Sequence, residues 1–359
     1  MSSRPVSPRS FLWYNAGMIQ VFALTTRGLE AVSASEMAAL PGVQVRQVAY
    51  RRITAVCQDA VPLLALRTVD DVFFDLGTWA GLVRQREALS ALRRQVAALD
   101  LRPALKVCAA LRSLPSELSF SLTVNFVGKR NYTGDEIKHV CAAAIAARHG
   151  WSYVSDDEAA DLNVRVFIEH EFAWIGVRLG TRPLHRRPYK LEHVPGSLKP
   201  PVAAALLRLA GVPPGAQVLD PCCGAGTLLI EADLAGARVM GGDLSPEALC
   251  AARANGAAAA VPLRLRRWDA RRLPLPDSGV DYVISNPPWG RAVAAGTDVN
   301  AFYRQICAEA HRVLVPGGRV VLLTSLPQMD FSGLRLETAL EISLFGQTPS
   351  VLIFSALAG

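Results

Sequence analysis

One stretch of the chain, QVLDPCCGAGTLLIEA at residues 217–232, constrains the fold more than any other. It contains a short apolar strand, a turn with glycines at positions 224 and 226, and an apolar helix. A strand, a glycine turn and a helix in this order open a doubly wound α/β domain, whose ligand binds at the carboxyl end of the first strand. A phosphate-binding loop would carry Lys and then Ser or Thr after its last glycine. Here Thr227 follows directly, which argues against nucleotide hydrolysis.

A second predicted strand, residues 238–242, ends at Asp243. Asp243 follows Asp220 by 23 residues, and an acidic side chain at about this spacing suits the hydroxyls of a ribose. Ser245 as the N-cap and a proline in the first turn predict a helix that closes at Gly256. This pattern predicts that a ligand with a ribose lies across the ends of two adjacent strands.

Two further strands end in short polar motifs. The third, residues 263–267, is followed by Trp-Asp-Ala at 268–270, and the fourth, residues 280–285, by Asn-Pro-Pro-Trp-Gly at 286–290. An Asn-Pro pair by itself marks an ordinary turn. The carboxyl ends of parallel strands lie at one edge of a sheet, so we expect the motif at 286–290 to face the glycine turn.

The succession DPCCGAG, Asp243, Asp269 and NPPWG resembles the class I S-adenosylmethionine-dependent methyltransferases that act on exocyclic amino groups. The resemblance implies that Asp220 and Gly224 border the methionine part of the cofactor, Asp243 the ribose and Asp269 the adenine. The implied cofactor-binding residues are Ser197, Lys199, Asp220, Cys222, Gly224, Ala225, Gly226, Asp243, Leu244, Asp269, Ala270 and Asn286. A merely structural alternative for Asp269 is a turn cap. No metal is expected, because neither a His nor a third Cys lies near Cys222 and Cys223 in the sequence.

Catalysis is expected from Asn286, Pro287, Pro288 and Trp289. An aromatic exocyclic amine is a poor nucleophile because its lone pair is shared with the ring. The Asn286 side-chain oxygen and the Pro287 carbonyl can accept its two N–H bonds, and proline cannot donate to a strand ladder. Trp289 offers a flat face to a base that has left its stack.

The net charge of +7 is unevenly distributed. Residues 1–199 contain 25 Lys and Arg against 18 Asp and Glu, whereas residues 200–359 contain 13 of each. A basic excess confined to one part of a chain indicates a polyanionic partner, although a solubilising surface gives the same count. No apolar run is long enough to span a bilayer, and seven cysteines without a paired framework fit a reducing cytoplasm.

The amino-terminal half has the pattern of an α+β region. Its segments SFSLTVNFVGKRNYTGDEIKHVCAAAI and DLNVRVFIEHEFAWIGVRLG resemble the THUMP domain of RNA-modification enzymes. An unrelated α+β domain is the alternative. We therefore expect an α/β chain with a Rossmann-like, seven-stranded methyltransferase domain after an α+β ferredoxin-like and THUMP region. The expected parts are a disordered extension (1–17), a ferredoxin-like domain (18–70), a THUMP domain (71–180), a linker (181–197) and the methyltransferase domain (198–359).

The predicted linker mixes prolines, cations and flat rings, which suits contacts with phosphates and unpaired bases. A solvated spacer is the alternative. The expected RNA-binding cations in and before the linker are Lys129, Arg130, Arg182, Arg186, Arg187 and Lys190.

The resemblance implies a cytoplasmic tRNA methyltransferase that modifies the N2 amine of a guanosine, with acceptor-stem position six as the favoured target. RNA is the expected partner, and a monomer without a membrane association is expected. The alternatives are another RNA guanine or adenine amine, a protein glutamine, and a non-catalytic RNA-binding protein.

Overall fold

The computed structural model describes residues 17–289, 298–326 and 331–357, which form two compact units. The first unit comprises residues 17–24 and 34–184, and the second comprises residues 25–33 and 185–357. Apart from Gly17, the predicted disordered extension lies outside the described residues, and so does Gly290.

The first unit is built on one sheet of eight strands. They are β1 (Ile19–Leu24), β2 (Val43–Ala49), β3 (Arg52–Cys57), β4 (Asp71–Trp79), β5 (Ser119–Val127), β6 (Ser152–Tyr153), β7 (Leu162–Glu169) and β8 (Phe172–Arg178), in the order β2-β3-β1-β4-β8-β7-β5-β6. Helix α1 (Glu30–Ala38) begins in the second unit and ends in the first. The helices that follow in the first unit are α2 (Glu87–Ala97), α3 (Arg102–Leu111) and α4 (Gly134–His149).

The two faces of this sheet follow from the alternation of side chains along a strand. On β1, Val21 and Ala23 face the core shared with α2, α3 and α4, whereas Phe22 packs with Phe73 and Trp174 on the other face. Strand β4 pairs with both β1 and β8. Strands from both predicted domains, 18–70 and 71–180, thus belong to the same sheet, and the division at residue 70 stays a prediction.

The second unit contains a sheet of seven strands. They are β9 (Gln217–Asp220), β10 (Arg238–Asp243), β11 (Arg264–Arg267), β12 (Val280–Ser285), β13 (Leu314–Thr324), β14 (Leu334–Glu341) and β15 (Ser350–Ala356), in the order β11-β10-β9-β12-β13-β15-β14. Its helices are α5 (Pro200–Ala210), α6 (Thr227–Leu234), α7 (Pro246–Ala258) and α8 (Val299–Val313).

Helices cover both faces of this sheet, as in a doubly wound fold. Side chains of β9 alternate accordingly: Val218 packs in the core under α5, α6 and α7, and Leu219 packs in the core under α8. The five strands β11, β10, β9, β12 and β13 are parallel to one another, and β15 is antiparallel to both of its neighbours, β13 and β14. The predicted seven-stranded sheet is confirmed. The strand order reverses between β9 and β12, which opens a crevice at their carboxyl ends.

Two local predictions were wrong. Helix α7 does not close at Gly256 but continues to Ala258. A Cβ on Gly256 would lie 2.9 Å from the Cδ1 atom of Leu263, so the glycine makes room for this side chain. The apolar residues in 337–344 predict a strand over that range, yet β14 spans Leu334–Glu341, because residues 344 and 347 pair with each other in a turn. In the described ranges, no helix has the length and apolarity needed to cross a bilayer.

Candidate functional site

A cavity of about 630 Å³ lies in the second unit at the carboxyl ends of β9, β10 and β12. Five stretches of chain contribute to its lining: residues 194–198, 220–228, 243–248, 286–289 and 344–347. This is the crevice at which ligands of doubly wound sheets bind. Of the residues predicted to bind cofactor or to catalyse, those that line it are Ser197, Asp220, Cys222, Gly224, Ala225, Asp243, Asn286, Pro287, Pro288 and Trp289.

The turn between β9 and α6 depends on two glycines with positive φ. Gly224 has a φ of +52° and Gly226 one of +77°. Gly224 lines the cavity, whereas Gly226 does not. A Cβ on Gly226 would lie 3.0 Å from the Cβ atom of Ala252 on α7. Gly224 therefore serves the cavity wall, and Gly226 serves the packing of the turn against α7.

Asp220 ends β9 and is buried at the base of the cavity. Its Oδ1 atom accepts hydrogen bonds from the Ser285 hydroxyl at 2.6 Å and from the Cys222 backbone N–H at 3.1 Å. Burial raises the pKa of the Asp220 carboxyl to about 7, although both hydrogen bonds act in the opposite direction. A positively charged ligand in the cavity would favour the ionised form.

Asp243 ends β10 and connects two parts of the cavity wall. Its Oδ2 atom accepts from the Gly224 backbone N–H at 2.9 Å, and its Oδ1 atom accepts from the Ser245 backbone N–H at 3.0 Å. The Ser245 hydroxyl caps α7 by accepting from the Ala248 N–H, as predicted. An ionised carboxylate has about four acceptor positions, so Asp243 can accept further bonds from a diol.

The turn after β12 presents an oriented amide. The Asn286 Nδ2 group donates to the Gly196 carbonyl at 3.0 Å, and its Oδ1 atom accepts from the Trp289 indole N–H at 2.6 Å. A carbonyl on one side and an N–H on the other fix which atom of the amide is oxygen. The Tyr303 hydroxyl donates to the Pro288 carbonyl at 3.4 Å. The Asn286 side-chain oxygen therefore lies at the cavity and already accepts one hydrogen bond, from Trp289.

Residues 187–198 are called the strap below. Residues 194–198 of the strap line the cavity, and a single buried side chain holds the centre of the strap. The Oδ1 atom of Asn255, on α7, accepts from the Leu191 N–H at 2.9 Å and the Glu192 N–H at 2.8 Å. Its Nδ2 group donates to the Glu192 carbonyl at 3.0 Å and the Ala225 carbonyl at 2.9 Å. Asn255 therefore fastens the strap to the glycine turn, a role that nothing in its local sequence indicates.

Comparisons with known proteins agree with this geometry. The family model for the RMKL-like methyltransferase domain matches residues 187–339. The crystal structure of TrmN from Thermus thermophilus is 31% identical, with a TM-score of 0.74, and the match covers 95% of this chain and 100% of that chain. The chain belongs to the same methyltransferase family as TrmN.

Two curated relatives of this chain carry functional names. The tRNA (guanine(6)-N2)-methyltransferase of Thermus thermophilus is 35% identical over 215 residues, which are 59% of this chain and 63% of the relative. The U6 snRNA (guanine-N(2))-methyltransferase THUMPD2 of Mus musculus is 31% identical over 215 residues, which are 58% of this chain and 39% of the relative. The chain thus spans less than two thirds of the length of these two relatives.

Two cations that were expected to bind RNA, Arg187 and Lys190, have partners within the second unit. Glu231 of α6 has a fully buried side chain and accepts from Arg187 Nε at 3.3 Å and from the Tyr189 hydroxyl at 2.6 Å. Lys190 donates to Thr227 Oγ1 at 2.7 Å and to the Leu198 carbonyl. Burial lowers the pKa of Lys190 to about 8, while Glu231 raises it. These contacts anchor the strap, because a buried charge needs partners of this kind.

In the first unit, Arg130 also has partners within the protein. Its guanidinium donates to the Leu82 carbonyl at 3.1 Å, to the Tyr132 hydroxyl at 2.6 Å and to the His170 carbonyl. The other expected RNA-binding cations, Lys129, Arg182 and Arg186, are exposed.

Five residues predicted to bind the cofactor do not line the cavity: Lys199, Gly226, Leu244, Asp269 and Ala270. The Asp269 carboxylate pairs with the Arg271 guanidinium at 2.6 Å. Its neighbour Trp268 is buried and donates from its indole N–H to the Pro221 carbonyl at 3.1 Å. The Lys199 Nζ atom lies 5.8 Å from the centre of the Phe345 ring, and Phe345 does line the cavity. The missed lining residues include Glu247, Leu344, Phe345 and Gln347.

Metal chemistry is not indicated by the residues that the structure describes. Among them, no group of three or more His, Cys, Asp or Glu side chains is arranged to hold a metal ion. Burial raises the pKa of the Cys222 thiol well above its ordinary value, with Asp220 adding to the effect. Neither cysteine of the glycine turn is therefore a ready thiolate ligand or nucleophile.

Proposed function

We propose that this protein transfers a methyl group from S-adenosylmethionine to the exocyclic N2 atom of a guanosine in tRNA, with position six of the acceptor stem as the target. The observation that carries the proposal is the Asn286 amide oxygen, oriented by Gly196 and bonded to an N–H donor, in the same cavity as Asp220 and Asp243. The names of the relatives from Thermus and mouse support guanine N2, and the former supports position six.

The cavity fits S-adenosylmethionine in size and in charge. Its volume of about 630 Å³ is within the range of small-molecule sites. The cofactor supplies a methyl group on a positively charged sulfonium, so the protein has to position the reactants rather than activate the donor. We assign Asp220 to the charged methionine part and Asp243 to the ribose hydroxyls. The adenine role expected for Asp269 lacks support from the cavity lining, and residues 244–248 with Phe345 are better candidates.

The acceptor is proposed to bind at Asn286 and Pro287. The Asn286 oxygen accepts one N–H of the guanine amine, and the Pro287 carbonyl accepts the other, which draws the nitrogen toward a tetrahedral form with a free lone pair. Tyr303 engages the Pro288 carbonyl, which leaves Pro287 as the second acceptor. The amine must replace the Trp289 indole N–H at the Asn286 oxygen, and the released indole ring then offers a stacking face to the base.

The RNA is proposed to contact the exposed cations Lys129, Arg182 and Arg186. The buried positions of Arg187 and Lys190 favour an indirect role for these two through the shape of the cavity. All seven cysteines are free thiols, in keeping with the reducing cytoplasm proposed for the enzyme, where we expect it to act as a monomer.

The target is tested with two tRNA transcripts that differ only at position six, one with guanosine and one with adenosine. We expect label from S-adenosylmethionine with a tritiated methyl group to enter the first transcript and not the second. Equal labelling of both transcripts would place the target elsewhere in the tRNA. Labelling of a protein extract but of neither transcript would favour a protein glutamine.

A further inference from the structure

The methyltransferase half of the chain is neutral only because one short segment balances the rest. Residues 264–272, RLRRWDARR, contain five arginines and one aspartate. The remainder of residues 200–359 contains eight basic and twelve acidic side chains. The zero net charge of this half is therefore the sum of +4 within nine residues and −4 elsewhere. The net charge of the whole half does not show whether one of its surfaces can attract a polyanion.

The fold places this segment at the edge of the sheet. Strand β11 is the outermost strand and pairs with β10 on one side. All five arginines are exposed, and we call them the arginine edge: Arg264, Arg266, Arg267, Arg271 and Arg272. Leu265 packs on the core under α5 to α7, so Arg264 and Arg266 project from the opposite face of the strand.

The arginine edge adjoins the cavity. Arg267 is paired in register with Asp243, which lines the cavity. The Arg267 Nε atom donates to the Leu244 carbonyl at 3.0 Å. Within the edge, Arg271 is the arginine whose guanidinium is paired with Asp269. The strand thus leads from the wall of the cavity to a row of exposed guanidinium groups.

Guanidinium groups match phosphate oxygens because their fork of N–H donors allows bidentate hydrogen bonds. Arg264 and Arg266 stand at alternate positions of β11 and present two such forks on one face of the strand, which suits a polymer of phosphates. Charged side chains on an edge strand also prevent pairing with other strands, which is the competing explanation. Protection of an edge strand works with either positive or negative side chains. It therefore does not explain why five cations lie together in a half of the chain that is otherwise acidic.

We propose that the arginine edge is a docking surface for the phosphate backbone of the substrate RNA, next to the cavity on the methyltransferase unit itself. This inference rests on the proposed function for the identity of the polyanion. RNA affinity is then shared between the first unit and the methyltransferase unit, although residues 200–359 have no net charge.

The test compares two double variants of the full chain that lose the same charge. Arg264→Gln with Arg266→Gln removes two cations from the arginine edge. Arg208→Gln with Arg304→Gln removes two exposed cations from α5 and α8 and is the control. Binding of fluorescent tRNA is measured between 50 and 300 mM salt, over which the Debye length falls from about 14 Å to about 6 Å. S-adenosylmethionine affinity is measured by calorimetry.

We expect the edge variant to lose about 1.4 to 1.8 from the slope of log Kd against log salt, for two phosphate contacts. Its KM for tRNA should rise while kcat and cofactor affinity stay at the wild-type values, and the control should keep the wild-type slope. A wild-type slope in the edge variant overturns the proposal, and self-association of that variant would then support edge protection. Equal losses in both variants overturn it in favour of a net-charge effect. Because binding is measured without catalysis, failure of the proposed methylation would leave this result interpretable.

Discussion

The two walls of the cavity pair their polar atoms in different ways. On the glycine-turn wall, Asp220 and Asp243 accept bonds from the Ser285 hydroxyl and from backbone N–H groups, and these bonds can remain when a ligand enters. On the opposite wall, the Asn286 oxygen accepts from Trp289, and the proposed substrate needs this same oxygen. In the proposed assignment, the cofactor side is formed in advance, whereas the acceptor side has to exchange one hydrogen bond. Changes on the first wall should therefore alter cofactor affinity, and changes on the second should alter turnover.

The largest effect is expected from Asn286→Ala. Removing one positioned hydrogen-bonding group from a reacting centre typically lowers kcat by roughly 100- to 1,000-fold. We expect a loss of this size in single-turnover methylation, with S-adenosylmethionine affinity little changed because Asp220 and Asp243 remain. Asn286→Asp, which keeps an acceptor oxygen but loses the donor to Gly196, is the matched control and should retain more activity. A near-normal rate for the alanine variant would remove Asn286 from the reaction.

A smaller effect is expected from pH on the cofactor wall. The pKa of Asp220 is raised to about 7, so this carboxyl is protonated below neutral pH. A positively charged cofactor favours the carboxylate, and binding therefore releases a proton. Cofactor affinity should rise about tenfold per pH unit below the pKa and level off above pH 7. The total rise between pH 5.5 and 7.5 is then roughly twentyfold. Calorimetry at several pH values measures this change.

Asp220→Asn is the control for the pH effect. It keeps the size of the side chain and cannot ionise, so its cofactor affinity should be weaker and independent of pH over the same range. If the cofactor affinity of the wild type does not change with pH, the charge of Asp220 does not contribute to cofactor binding. If the variant keeps the wild-type profile, another group titrates.

The smallest effect is expected from Trp289→Phe, which keeps a flat ring but removes the indole N–H. A neutral hydrogen bond is worth about 0.5 to 1.5 kcal/mol, so releasing the Asn286 oxygen should lower the KM for tRNA by roughly two- to tenfold. Trp289→Ala, which also loses the stacking face, should raise the KM instead. Equal damage in both variants would show that the indole N–H assists the substrate rather than occupying its place.

The sequence was sufficient to predict that certain residues next to strand ends lie together at one cavity. Asp220, Asp243 and Asn286 each follow a short apolar run, and parallel strands bring such positions to one edge of a sheet. Asp269 does not line the cavity because its carboxylate pairs with Arg271, and its adenine role stays a prediction. Strand β4 and helix α3 were not predicted either, since their apolar residues do not stand out from those of the flanking segments.

Residues that act through distant partners were not predictable. Asn255 binds the strap more than 60 residues away, and within α7 it looks like any polar residue of a helix. Glu231 lies in an apolar helix, and only the fold brings Arg187 to it. A count of charges cannot distinguish a cation with a largely buried side chain, such as Arg187, from an exposed one such as Arg266. Composition alone therefore does not locate the RNA surface that we propose.

The most direct test of the account identifies the methylated nucleoside. Full-length enzyme is incubated with tRNA and S-adenosylmethionine carrying a deuterated methyl group, and the RNA is digested and analysed by mass spectrometry. We predict labelled N2-methylguanosine with the wild type and at most traces with Asn286→Ala. Labelled N6-methyladenosine, or the absence of any labelled nucleoside from an enzyme that binds the cofactor, would contradict the proposed function.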